Sequence, residues 1–306
     1  MKDLAQRRVA AQWLVGSPAK SITDVARHML ATQAQEFAGS KWALGIRAPG
    51  TTIKDVDDAY AARSIVRAWP MRGTLHVCAA EDLGWLTALL APRVVAGAKK
   101  RHDQLGFDQK QFGKVRDTAE KALAGKQLSR EQMFAAFDKA KLNADPHRGY
   151  HMLWYLAQIG TVCMAGDAYA LCSEWIAKPR TLDREEALGE LAVRYFRSHG
   201  PATKADLQRW GKLVAADTKI AIELARPHVA THGDYFFDEA NAPAAKATLA
   251  LPPFDELILG YEDRTCTLSE AHAEKIVPGG NGVFLSTIVE NGVATGIWKR
   301  TKKRSS

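Results

Sequence analysis

Residues 65–77 read Ile65-Val66-Arg67-Ala68-Trp69-Pro70-Met71-Arg72-Gly73-Thr74-Leu75-His76-Val77. Two β-prone runs are broken here by Pro70 and Gly73, which reads as a hairpin. What precedes it is helical. Asp3 to Trp13 has amphipathic spacing. Thr23 can cap a second helix through Val25, Met29 and Leu30, with Asp24 near its N-terminus, where negative charge is favourable. Glu36 to Leu44 forms a short helical piece, and Thr52 precedes a helix from Ile53 to Arg63. Helices followed by a hairpin are the order of a winged helix.

The same order recurs twice. A helix from Gly113 to Ala124 leads to Ser129-Arg130-Glu131-Gln132, a near capping box that opens a helix to Ala140. Asp145-Pro146 places a cap and an N1 proline before a helix ending near Gly160. Two short β runs then surround Ala165-Gly166-Asp167. The third copy has a helix from Asp183 to His199 closed by Gly200, helices over 202–210 and 215–225, and a hairpin around His232-Gly233-Asp234. From Thr248 the chain turns β-rich. Leu249-Ala250-Leu251 and Leu257-Ile258-Leu259 read as strands, Ser269 to Val277 as a short helix, and Asn291-Gly292 as a hairpin turn. The expected fold is α+β and mainly helical. It has three tandem winged-helix modules (1–92, 93–180, 181–247) and a small β-rich C-terminal element with a basic tail (248–306).

Composition narrows the function classes. The chain has 306 residues, 46% hydrophobic and 25% charged, which excludes a disordered or fibrous protein. No stretch approaches the ~20 apolar residues of a membrane span. Residues 1–8 lack the apolar run of a secretory signal. Cys78, Cys163, Cys172 and Cys266 are widely spaced, without a CxxC pair, as in a reducing compartment. A soluble, cytoplasmic protein is the expectation. The net charge of +8 is clustered. Lys299, Arg300, Lys302, Lys303 and Arg304 form one group, and ten Lys/Arg face five Asp/Glu between Arg93 and Glu131. Concentrated positive charge suits a polyanion, because each neutralised phosphate releases counterions. The tail reads equally as a solvated end.

Several familiar sites are absent. Pro278 to Gly282 lacks the GK[ST] of a phosphate loop, and no GxSxG elbow occurs. His147 and His151 share a helix face, but Arg148 stands where a zinc protease needs Glu, so no metal is expected. Basic and polar side chains do fall on the winged-helix elements. They are Arg47, Lys54, Arg63, Arg67 and Arg72 in the first copy, with Arg148 and His151 in the second. Gln33 and Gln35 stand at the end of the second helix. On a regular helix, residues i and i+2 point about 200° apart, so the two would not face one another there; they could converge if the helix ends between them. Residue type alone makes this a polar helix end.

The sequence resembles the AlkZ-like family, the tandem winged-helix DNA glycosylases of bacteria. The resemblance covers nearly the whole chain and rests on several segments. Gln33-Ala34-Gln35 matches the family's Gln-x-Gln motif and is followed by Ser40-Lys41-Trp42-Ala43-Leu44-Gly45-Ile46-Arg47. Further matches are Met71-Arg72-Gly73-Thr74-Leu75-His76 and His199-Gly200-Pro201-Ala202-Thr203 with Trp210. The stretch from Leu251 through Asp255-Glu256 to Arg264, and Val277 to Gly282, complete it.

The resemblance implies a basic channel for double-stranded DNA. It also implies excision of bases alkylated at ring nitrogens and, in some members, unhooking of interstrand crosslinks. Gln33 and Gln35 are the implied catalytic pair. Lys41, Trp42, Arg47, Arg72, Thr74, His76, Arg148, His151 and Arg264 are the expected nucleic-acid contacts. Neither metal nor cofactor is expected, the substrate is DNA with alkylated bases, and the protein is expected to be a monomer. A non-catalytic winged-helix DNA binder or transcription regulator is the alternative.

Overall fold

The computed structural model describes residues 1–299. Of the basic tail, Lys299 is exposed, and Arg300, Lys302, Lys303 and Arg304 lie outside the described residues. The chain is mainly helical with small antiparallel sheets, and divides into two compact units. Unit 1 holds Met1–Ile53 and the chain from Gly189 onward; unit 2 holds Lys54–Leu188. This partition runs across the module boundaries expected from sequence, because the Gln-x-Gln segment and the hairpin of residues 65–79 fall in different units.

The first pass through unit 1 comprises α1 (Leu4–Ala11), α2 (Ile22–Met29), the two-residue strand β1 (Thr32–Gln33) and α3 (Phe37–Gly45). The cap of α2 is Ser21, not Thr23. Ser21 has extended backbone and its side chain accepts the Asp24 N–H, whereas Thr23 already lies inside the first turn. Glu36 caps α3, accepting from the Ala38 and Gly39 amides.

Unit 2 runs through α4 (Ile53–Ala61), β2 (Ile65–Met71), β3 (Thr74–Ala79), α5 (Leu83–Gly97), α6 (Lys99–Gln104), α7 (Gln109–Leu123), α8 (Arg130–Lys139), α9 (Pro146–Gln158), β4 (Val162–Ala165), β5 (Ala168–Leu171) and α10 (Cys172–Trp175). The capping box at Ser129 and Gln132 forms, and Asp145 caps α9 ahead of Pro146. Arg72 and Gly73 close the first hairpin with φ of 56° and 76°, the left-handed pair of a two-residue loop. The two hairpins join edge to edge in the order β3-β2-β4-β5, through Arg67 opposite Met164. They are therefore parts of one sheet. An apolar core built around Phe112, Phe137, Leu153 and Val162 lies within this unit.

The chain re-enters unit 1 within α11 (Arg184–His199). It continues through α12 (Lys204–Gly211), α13 (Ala215–Ala225), β6 (Ala230–His232), β7 (Tyr235–Phe237), β8 (Thr248–Leu251), α14 (Glu256–Leu259), α15 (Glu270–Ile276), β9 (Thr287–Glu290) and β10 (Val293–Ile297). The expected turn at Asn291-Gly292 joins β9 to β10. Leu257-Ile258-Leu259 is not a strand. It is a buried single helical turn whose N-cap is Asp255, which accepts the Leu257 N–H at 2.9 Å. A short apolar run fits either state, and the cap decides it.

Candidate active site

The site is built from the exit of α2. Leu30 has φ 64° and ψ −54°, and the Ala31 N–H donates to the Met29 carbonyl at 2.7 Å. This is a γ-turn of the rare positive-φ kind, strained for a leucine. It stops the helix before the glutamines. The segment that follows is extended, where residues i and i+2 face the same side. Gln33 and Gln35 therefore converge, with the Gln33 Nε2 3.4 Å from the Gln35 Oε1, while Ala34 is buried. Gln35 is exposed, whereas Gln33 is 8% exposed, and its Oε1 is buried and accepts no hydrogen bond among the described residues.

Beneath Gln33 lies Glu256, which is fully buried. One carboxylate oxygen accepts the Gln33 main-chain N–H at 3.2 Å, and the other accepts the Trp210 indole N–H at 3.0 Å. His199 Nε2 stands 3.5 Å from that second oxygen, and its Nδ1 lies 2.8 Å from the Ser198 hydroxyl. A Cβ on Gly260 would come within 2.8 Å of the His199 ring, so only glycine permits this approach. Next to Glu256, Asp255 takes Arg47 in a two-pronged ion pair at 2.8 and 2.9 Å. Arg47 also donates to Gln12 Oε1 and the Ala43 carbonyl. Arg8 lies over the Tyr261 ring and 3.6 Å from Asp206. At the edge of this network His28 stacks on Trp13 with centroids 3.6 Å apart and contacts the Ala11 carbonyl. Burial pulls its pKa down to about 4, only partly opposed by that carbonyl.

The expected nucleic-acid contacts divide sharply. Trp42 is 47% exposed, its indole N–H donating to the Ala250 carbonyl, and Lys41 is half-buried with its ammonium over the Phe37 ring. Arg47 is a correction. With no exposed surface and its guanidinium committed to Asp255, it has no face to offer a phosphate. Arg264 is half-buried over the Phe284 ring.

In unit 2, His76 is likewise fully buried and cannot itself touch a nucleic acid. Its Nδ1–H donates to the Thr74 carbonyl, which leaves Nε2 to accept from the half-buried Arg72 at 2.9 Å. It thus orients Arg72. Thr74 is half-buried. Arg148 is turned inward over Phe107, donating to the Asn143 and Leu142 carbonyls. His151 is half-buried beside His102, and burial holds both imidazoles below their ordinary pKa. By contrast, all ten Lys/Arg between Arg93 and Glu131 are exposed.

Glu256 and its partners Trp210 and His199 were not singled out as site residues by the sequence. The available signal was two adjacent acids, Asp255-Glu256, inside an otherwise apolar run, because charges in such a setting are paired.

The sequence profile of the AlkZ-like DNA glycosylases matches residues 26–306. The chain belongs to this family. As an AlkZ-like protein it is a DNA glycosylase acting in DNA repair, and the reading as a non-catalytic binder is not favoured. A similar curated protein is the interstrand DNA cross-link repair glycosylase of Streptomyces sahachiroi, 21% identical over 95% of this chain and 85% of that protein. The solved structure of the Streptomyces sahachiroi DNA glycosylase AlkZ matches with a TM-score of 0.81 at 20% identity, covering 97% of this chain and 87% of the other. The mainly helical α+β fold is thus that of an AlkZ-like protein. Among the described residues no helix is long and apolar enough to cross a membrane.

Proposed function

We propose that this AlkZ-like protein is a monofunctional glycosylase that removes cationic N-alkylated purines from double-stranded DNA, acting as a cytoplasmic monomer. The observation that carries the reading is the convergence of Gln33 and Gln35 on one side of an extended segment, with the exposed carboxamide of Gln35 next to the buried one of Gln33.

The chemistry needs little acid. A purine alkylated at N7 carries positive charge and departs neutral, taking the electron pair of the C1′–N9 bond. The sugar passes through an oxocarbenium-like state, water adds at C1′, and its proton is lost to solvent. The protein has to place that water and offset the sugar's positive charge. A glutamine carbonyl oxygen does both. Gln35, exposed, orients the water; Gln33, whose Oε1 has no donor among the described residues, assists. Neither forms a Schiff base, so the strand is left uncut at the abasic site. Trp42, Lys41 and Arg72 are the contacts we assign to DNA.

The test is incubation of the pure protein with methylated duplex. Release of 7-methylguanine with an intact abasic strand supports the reading, and no release contradicts it. A duplex bridged by an alkylating crosslinker is the second substrate, as the name of the Streptomyces sahachiroi relative suggests.

A further inference from the structure

The Gln33 main chain is held from inside by a carboxylate. Glu256 has no exposed surface, and taking a carboxylate out of water is costly unless its oxygens are well supplied with donors. The wider network contains two buried arginines, Arg8 and Arg47, against three buried acids, Asp206, Asp255 and Glu256. The arginines are engaged by Asp206 and Asp255. Glu256 accepts the Gln33 N–H on one oxygen and the Trp210 N–H on the other, with His199 Nε2 standing 3.5 Å from that second oxygen.

A neutral amide at this position could not do the same. It has one acceptor oxygen, and its NH2 would meet either the Gln33 or the Trp210 N–H, donor against donor. Only a carboxylate accepts from both sides at once, and such charge-assisted bonds are the strong ones. The γ-turn at Leu30 fixes where the chain leaves α2, and Glu256 fixes where it arrives three residues later.

We propose that Glu256 is the positioning residue for base excision: by gripping the Gln33 amide it sets the pose in which the Gln33 carboxamide works. This rests on the role given to Gln33 above. Glu256 touches no substrate and acts only through that residue. Its negative charge also lies behind the segment whose front must offset a sugar cation, so charge and geometry favour the same pose.

The experiment is single-turnover release of 7-methylguanine from a defined duplex by the full chain, with DNA affinity and thermal unfolding measured alongside. The variants are Glu256→Gln, Gln33→Ala and the double. Glu256→Gln is expected to bind DNA like wild type and to excise about 10-fold more slowly or worse. In the Gln33→Ala background the same change should cost less than about 2-fold, because residues acting as one unit are not additive. An equal loss in both backgrounds overturns the proposal.

If Glu256→Gln does not fold, Trp210→Phe frees one side of the carboxylate and should slow excision about 3-fold or more, again only when Gln33 is present. A wild-type rate in Trp210→Phe would then overturn it. Hydrogen exchange at the Gln33 amide separates this proposal from the substrate reading. Wild-type protein inert on the methylated duplex defeats that reading, yet a Gln33 amide protected in wild type still supports the grip of Glu256. An unprotected Gln33 amide overturns the grip whatever the kinetics.

Discussion

The two units handle charge differently. Unit 1 buries it: Arg8, Arg47, Asp206, Asp255 and Glu256 sit inside, joined to Gln12, Tyr261, Trp210 and His199. Unit 2 buries Arg67 and Asp82, but its central core is apolar and aromatic and the ten basic residues between Arg93 and Glu131 are all exposed. Buried charge holds a geometry, because each pair is right only in one arrangement, whereas exposed charge sets a field that draws in a polyanion. The difference assigns precision to one unit and attraction to the other.

The sharpest way to break this contrast is at Arg47. Arg47→Ala leaves Asp255 buried without its cation and should destabilise the protein by about 3–5 kcal/mol in chemical denaturation. Arg47→Met with Asp255→Leu, which removes both charges, should recover most of that loss in stability but not in excision rate. Equal losses in the single and double variants would mean that the pair is packing and not electrostatics.

A smaller effect comes from pH. His28 is neutral in the folded chain because burial lowers its pKa to about 4, against about 6.5 when unfolded. Between those values the unfolded chain binds the proton and the folded chain does not. Stability is therefore full above about pH 6.5 and falls towards pH 4, by up to roughly 3 kcal/mol from this residue. His102 and His151 in unit 2 act in the same direction. His28→Phe should flatten the acid limb of a pH–stability curve; an unchanged limb would place the acid sensitivity in unit 2.

The smallest effect on the fold, and the one that probes unit 2, concerns the exposed bases. Lys110, Lys114 and Lys121 lie on one stripe of α7, with Asp117 between them. Changing all three to Ala should lower the salt slope of DNA binding by about 0.9 for each phosphate that is no longer neutralised. The saturating single-turnover rate should stay at the wild-type value. A slower saturated rate would show that the separation of attraction from precision is wrong.

This division was only partly legible in the sequence. Local signals were plain where a backbone group needs a specific partner: the capping box at Ser129, Asp145-Pro146, the Arg72-Gly73 loop and the Asn291-Gly292 turn. Helix α5 was not, because it is apolar all round and carries Pro92, so no helical period stands out. Gln33 and Gln35 could be named, but not their convergence, which depends on a strained turn at Leu30 that residue type does not encode. Arg47 looked like a surface base because its partner, Asp255, is 208 residues away. Glu256 was hidden for the same reason, and because its segment reads as a strand until the Asp255 cap is seen.

Whether the Gln-x-Gln pair does the chemistry is tested most directly by single-turnover excision of 7-methylguanine by Gln35→Ala, with DNA affinity determined in parallel. Removing one preorganised electrostatic interaction of this kind costs about 10²–10³ in rate, and a charged leaving base can bring the loss below that range. Gln35→Ala should excise more slowly with affinity essentially unchanged, and Gln33→Ala should lose less. Wild-type rates in both variants, or weakened binding with unchanged chemistry, would contradict it.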